Sequence, residues 1–156
     1  TFDNLIYGLI STIQEKRKFK CEKVNETIFQ EFEKLNLDLA VKRLFQWRWF
    51  SEDIDVGPII YSSGNILTYE KENNFLKKGL IQIGDCQNGD EIFLRVKDLS
   101  VFYWSHDEAI DWQKDEHSLF LAYNRIENLL LNICNKNFIP WDANSAREYF
   151  EILSGC

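Results

Sequence analysis

Six carboxylates and one histidine stand in two short runs of this 156-residue chain: Asp85, Asp90 and Glu91, then His106, Asp107, Glu108 and Asp111. Donors of this kind could ligate a divalent cation, or serve as acid and base in a hydrolysis. Neither chemistry fits the spacing. The stretch from Asp85 to Asp90 lacks the alternating ligands and closing Glu of an EF-hand, and Cys86 stands where a spacer should lead to another acid. His106 and His117 are the only histidines, so three zinc ligands are hard to assemble. The adjacent pairs Asp90-Glu91 and Asp107-Glu108 diverge along a strand, whereas acid–base work needs two carboxylates converging across a cleft. No Gly-rich phosphate cradle, G-x-S-x-G elbow or H-E-x-x-H motif is present. A metal- or carboxylate-dependent hydrolase is therefore the minority reading, and no catalytic residue, metal ligand or cofactor is assigned. Cys86, expected in an exposed loop, has no neighbouring His or Lys in sequence to activate it.

The same acids suit a different task. From Asp85 to Glu116 nine acidic residues face three basic ones, a net −6 out of the −7 of the whole chain. Such a run is either a solvated face or a docking patch for a cationic partner. Aromatic residues lie beside it. Tyr103 and Trp104 point to opposite faces of their strand, so one of the pair is a candidate interface anchor. Trp47 and Trp49, two residues apart on a helix, cannot share a face either, which leaves one for the core. The candidate partner-binding residues are thus Asp85, Asp90, Glu91, Tyr103, Trp104, His106, Asp107, Glu108 and Asp111.

These residues need elements to hold them. Leu5, Ile6, Leu9, Ile10 and Ile13 recur at helical spacing behind Asp3, a candidate N-cap, and Lys16–Lys20 closes the pattern in positive charge. A second helix is expected from Asn25, with Ile28, Phe29, Phe32 and Leu35 on one face. A third spans Asp38 to Trp49, with Val41, Leu44 and Phe45 inward. Gly57-Pro58 breaks the chain before a short strand at Ile59-Ile60-Tyr61, and Ser62–Asn65 reads as a turn. Leu67 to Lys78 fits either a polar helix or a loop. Leu80–Ile83 is a strand ended by Gly84, Asn88-Gly89 is a reverse turn, and Glu91–Val96 alternates as a half-buried strand. Lys97–Ser100 turns the chain into a strand at Val101–Trp104. Leu119, Tyr123, Ile126, Leu130 and Ile133 form one helical stripe, Pro140-Trp141 interrupts it, and Ser145–Leu153 closes the chain as a helix.

With no repeat, low-complexity tract or linker, residues 1–156 read as one α+β domain. Its sheet is expected to be antiparallel or mixed, of four to six strands, packed by N- and C-terminal helices. The pI near 4.9 argues against nucleic acid or an anionic membrane as partner. No apolar run is long enough to span a bilayer, and no basic segment precedes an apolar stretch at the start, so neither a spanning helix nor a signal peptide is expected. Cys21, Cys86, Cys134 and Cys156 are widely scattered, as for reduced thiols in the cytosol. The oligomeric state is left open.

Three segments also carry a family resemblance: Ile81-Gln82-Ile83-Gly84-Asp85, Asn88-Gly89-Asp90-Glu91-Ile92-Phe93-Leu94, and Val101-Phe102-Tyr103-Trp104-Ser105-His106-Asp107-Glu108. A strand ending in Gly, a Gly/Asp-rich turn, a "Gly-Asp-x-Ile-x-Leu" strand and an aromatic strand closing in Trp-x-His-Glu together resemble the SUKH superfamily. That superfamily takes in the yeast Smi/Knr cell-wall-synthesis regulators and many bacterial immunity proteins. The match covers about 30 residues. Upstream, Phe29–Leu39 is only loosely similar, and the usual Pro and a later Asn-Gly-Gly turn are absent. The resemblance implies an α+β binding module rather than an enzyme. Its expected role is a cytoplasmic bacterial immunity protein that neutralises a cognate polymorphic or contact-dependent toxin, such as a nuclease. The alternative is an intracellular scaffold of the Smi/Knr type. A basic toxin domain would complement the acidic patch.

Overall fold

The expected helical spacings form helices whose apolar faces meet. In the computed structural model, which describes residues 2–17, 26–47 and 49–154, helix α1 spans Phe2–Arg17 and buries Ile6, Ile10 and Ile13. Asp3 falls inside its first turn rather than at the cap. Helix α2 (Glu26–Glu33) buries Phe32, and α3 (Leu39–Trp47) buries Val41, Leu44 and Phe45. Lys18–Lys20 and Asn25 lie outside the described residues, as do Cys21 and Cys156 and the side chain of Trp47. Trp49 follows α3 as a core residue, its indole N–H donating to Tyr61 O at 2.8 Å.

Ser62–Asn65 is not a turn but the start of a helix. Ser62 caps α4 (Ser63–Asn73), its side chain accepting the Asn65 N–H, and Asn74 ends the helix at φ 52°. A 3-10 turn follows at Phe75–Lys78, held by the Glu70 carboxylate, which accepts the Leu76 N–H at 2.6 Å. The open choice over Leu67–Lys78 thus resolves as helix plus 3-10 turn.

Six strands make one antiparallel meander in the order β1 (Ile54–Asp55), β2 (Ile59–Ile60), β3 (Leu80–Asp85), β4 (Glu91–Arg95), β5 (Ser100–Trp104) and β6 (Leu119–Tyr123). The molecule is α+β, as its residue patterns require. Two expectations are corrected. Gly84 does not end β3, which runs on to Asp85 through an irregularity between Gln82 and Gly84. Leu119–Tyr123 is a strand rather than the first turn of a helix, with Phe120 opposite Tyr103 and Leu119 opposite Trp104. Its spacing to Ile126, Leu130 and Ile133 mimics a helical stripe, but α5 starts only at Ile126 and ends at Cys134. Helix α6 (Ala143–Ser154) closes the chain.

Neighbouring strand residues point to opposite faces, and both faces are covered. Ile81, Ile92, Leu94, Val101 and Tyr103 join the helices in the main core. Leu80, Phe93 and Trp104 form a second cluster on the other side, roofed by Phe75, Ala109 and Leu119. Phe93, on the face that also carries Glu91 and Arg95, is therefore fully buried. Register places Asp85 opposite Glu91, Glu91 opposite Trp104 and Trp104 opposite Leu119, so these residues line one end of the sheet. The turn after β3 and the long loop from Ser105 to Ser118 both emerge there.

Candidate protein-binding surface

Asp90 binds this end of the molecule together. Only 3% exposed, it sits at the head of β4 and its carboxylate gathers four donors. These are the Ala143 N–H at 2.8 Å, the His106 N–H at 3.1 Å, His106 Nδ1 at 2.6 Å and Asn88 Nδ2 at 3.2 Å. Burial works against the charge, but the hydrogen bonds from Ala143, His106 and Asn88 outweigh it and hold the carboxyl below its ordinary range. An ionised Asp90 requires the proton on Nδ1 of His106, whose Nε2 lies 3.2 Å from Asp107 Oδ1. One carboxylate thus ties the β3–β4 turn, the root of the β5–β6 loop and the first residue of α6. Asp90 is a structural clamp and not an exposed contact residue.

Other candidates are also committed inward. Asp85 accepts the Tyr61 hydroxyl at 2.7 Å. Glu91 lies 2.9 Å from Lys114, and its pKa is raised by burial against the pull of that ammonium. Lys114 is itself nearly covered, its Nζ standing 3.1 Å from the centre of the Trp104 ring. Tyr103 and Trp104 are both buried, so the aromatic strand offers no accessible anchor. Tyr103 donates to Pro140 O at 2.7 Å and Trp104 Nε1 to Gln113 O at 3.0 Å. Cys86 is buried rather than exposed; burial, then the charges of Asp90 and Asp142, push its thiol far above the ordinary range, which suppresses the nucleophilic thiolate. No group of three or more His, Cys, Asp or Glu side chains that could hold a metal occurs among the described residues.

His106 is half-buried, and Asp107, Glu108 and Asp111 remain exposed on the β5–β6 loop. The loop adds residues that no sequence signal above singled out. Ile110 and Trp112 are 62% and 71% exposed, and both flank Asp111. The Gln113 N–H closes onto Ile110 O at 3.0 Å, with Asp111 and Trp112 at φ 52° and 59°. Two successive left-handed central residues make a type I′-like turn, which a Trp disfavours. The base of the turn is fixed: Gln113 O also accepts the Ser118 hydroxyl at 2.8 Å, and Lys78 Nζ reaches Gln113 Oε1 at 3.0 Å. The Trp112 ring leans on Trp104, centroids 5.8 Å apart, and its remaining surface is open. The clue in the chain was two apolar residues, Ile110 and Trp112, inside an acidic run.

The loop therefore presents an apolar tip, rigid at its base, among the exposed acids Asp107, Glu108, Asp111, Asp115 and Glu116. Lys114, the one cation of the run from Asp107 to Glu116, is occupied by Glu91 and Trp104. Such a surface can insert apolar groups into a socket while attracting a cationic rim. Among the described residues no helix is long and apolar enough to cross a membrane. No protein-family model matches the chain, and no curated protein matches it.

Proposed function

We propose that this chain is a non-catalytic protein-binding module that holds a basic protein domain through its β5–β6 loop. The observation that carries this reading is the exposed Ile110–Trp112 tip in a loop whose acids Asp107, Glu108, Asp111, Asp115 and Glu116 are exposed as well. An exposed Trp in a sterically disfavoured turn costs the free chain backbone strain in return for its contact with Trp104 alone, so a partner that covers the rest of the ring supplies the missing gain. The resemblance to the SUKH superfamily gives the partner its class: a cognate toxin domain, nuclease-like in its basic active site, neutralised in the bacterial cytoplasm. The bare central motif also fits a Smi/Knr-like scaffold, but an apolar tip held at its base among exposed acids suits tight engagement of one cationic surface better.

The test is capture of partners on the native chain from its source cells, with release by a salt gradient. It runs beside Trp112→Gly and the combined Asp107→Lys, Glu108→Lys and Asp111→Lys variant. The expected result is one basic protein retained by the native chain and weakened about 30-fold or more by Trp112→Gly, the cost of losing a hot-spot residue. Gly relieves the left-handed backbone while losing the Trp104 contact, so the melting temperature should change little. A basic partner held equally well by both variants would remove this surface from the reading. Capture of endogenous cell-wall or signalling proteins alone would favour the scaffold.

A further inference from the structure

A second feature of the same end of the sheet lies outside the docking loop. The indole of Trp141, 60% exposed, walls a cleft of about 350 Å³ whose other lining residues are Gly57, Gln87, Asn88 and Asp142. These come from the β1–β2 turn, the β3–β4 turn and the segment entering α6. Phe138 meets Trp141 nearly at right angles, 82° and 5.9 Å between centroids, a contact that occupies at most one face of the indole. Asp142 caps α6 with Oδ1, which accepts the Ser145 N–H at 2.7 Å, while Ser145 Oγ accepts the Asp142 N–H at 3.1 Å. The cap uses Oδ1 and does not call on Oδ2. The Asp90 carboxylate accepts the N–H of Ala143, the residue next to Asp142, at 2.8 Å. No cationic side chain lines the cleft.

Asn88 turns its amide to Asp90, its Oδ1 accepting the Asp90 N–H at 3.1 Å, so the cleft offers an aromatic face, the Asp142 carboxylate and the Gln87 amide, with no cation among them; such a lining suits a planar, weakly hydrated cation. Guanidinium stacks on Trp and pairs with a carboxylate through parallel N–H donors; an ammonium is compact and more strongly hydrated, and does neither as well. A neutral sugar could stack on Trp141 but would gain nothing from the charge of Asp142. We propose that this cleft is a socket for an arginine side chain presented by a protein partner, with its guanidinium on Trp141 and Asp142. The proposal rests on the protein-binding reading above. A basic protein seated on the β5–β6 loop would approach the end of the sheet to which the cleft belongs, and the net charge of −7 favours its cationic groups.

The test is a titration of the native chain with Nα-acetyl-arginine N-methylamide, followed by NMR at the Trp141 indole N–H and, in every variant including Trp141→Ala, at the backbone N–H groups of Gly57, Gln87 and Asn88 that line the cleft. The matching lysine and citrulline compounds serve as controls. Asp142→Asn removes the charge yet keeps the cap, since Asn caps helices as well as Asp. A saturable shift by the arginine compound is expected, weakened about tenfold by citrulline, by lysine or in Asp142→Asn, and abolished in Trp141→Ala. No shift, or equal shifts with arginine and citrulline, would overturn the socket. A basic partner that binds Asp142→Asn as tightly as the native chain would also overturn it, leaving the loop reading intact. Arginine binding without any captured basic partner would instead overturn a protein source for the guanidinium.

Discussion

Asp90 was the residue whose role changed most between chain and fold. As one acid in an acidic run it reads as a contact residue; folded, it is the acceptor for Ala143, His106 and Asn88. Asp90→Asn would turn an amide N–H₂ against donors, and a buried polar mismatch of this kind costs about 2–4 kcal/mol. The native pKa is lowered, so the stabilisation is complete above the ordinary carboxylate value of 3.8 and is lost as pH falls through the lower native value. Urea denaturation of both proteins between neutral and strongly acidic pH should show a gap that is widest at neutrality and narrows in acid. A gap independent of pH would mean that the charge of Asp90 is not what stabilises. The left-handed backbone of Trp112 was equally invisible in the chain, because no local pattern predicts a bulky residue at positive φ.

Among the elements, β3 shows how far a short-range signal carries. Gly84 was expected to end the strand, as glycine often does. Instead the strand continues, because β2 approaches so closely that a Cβ on Gly84 would lie 2.4 Å from Ile59 O. Gly84→Ala should push β2 away and cost about 1–3 kcal/mol, read as a lower urea midpoint with an unchanged slope. Stability equal to that of the native chain would show that β2 is free to move. Strand β6 gives the complementary lesson. Leu119 and Tyr123 have helical spacing to Ile126, yet pairing with β5 wins, since the apolar spacing of a short run serves a helix and a buried strand alike. The helices α1, α2 and α3 were legible because apolar residues recur in them at helical spacing; α4, longer than α2 or α3, was not, because Ser62–Asn65 reads equally as a turn and as a cap and the residues after it are mostly polar.

At the scale of the whole molecule, the charge of −7 bears on the basic partner proposed above through the rate at which it would arrive. Association with a basic partner should slow by roughly tenfold between about 50 and 500 mM salt, measured by stopped flow, while dissociation changes less. A salt-independent on-rate would assign the acids to solubility alone. Periodicity, turn residues and charge, all local properties of the chain, were enough to establish an α+β molecule, its β3–β5 hairpins and an acidic stretch of chain. They could not say which acids face water. Asp107, Glu108 and Asp111 stay exposed, whereas Asp85, Asp90 and Glu91 turn to Tyr61, to His106 with Ala143, and to Lys114, partners distant along the chain. Tyr103 and Trp104 vanish under two separate layers for the same reason: burial of a strand residue depends on what the rest of the chain lays over each face, and only tertiary packing supplies that cover.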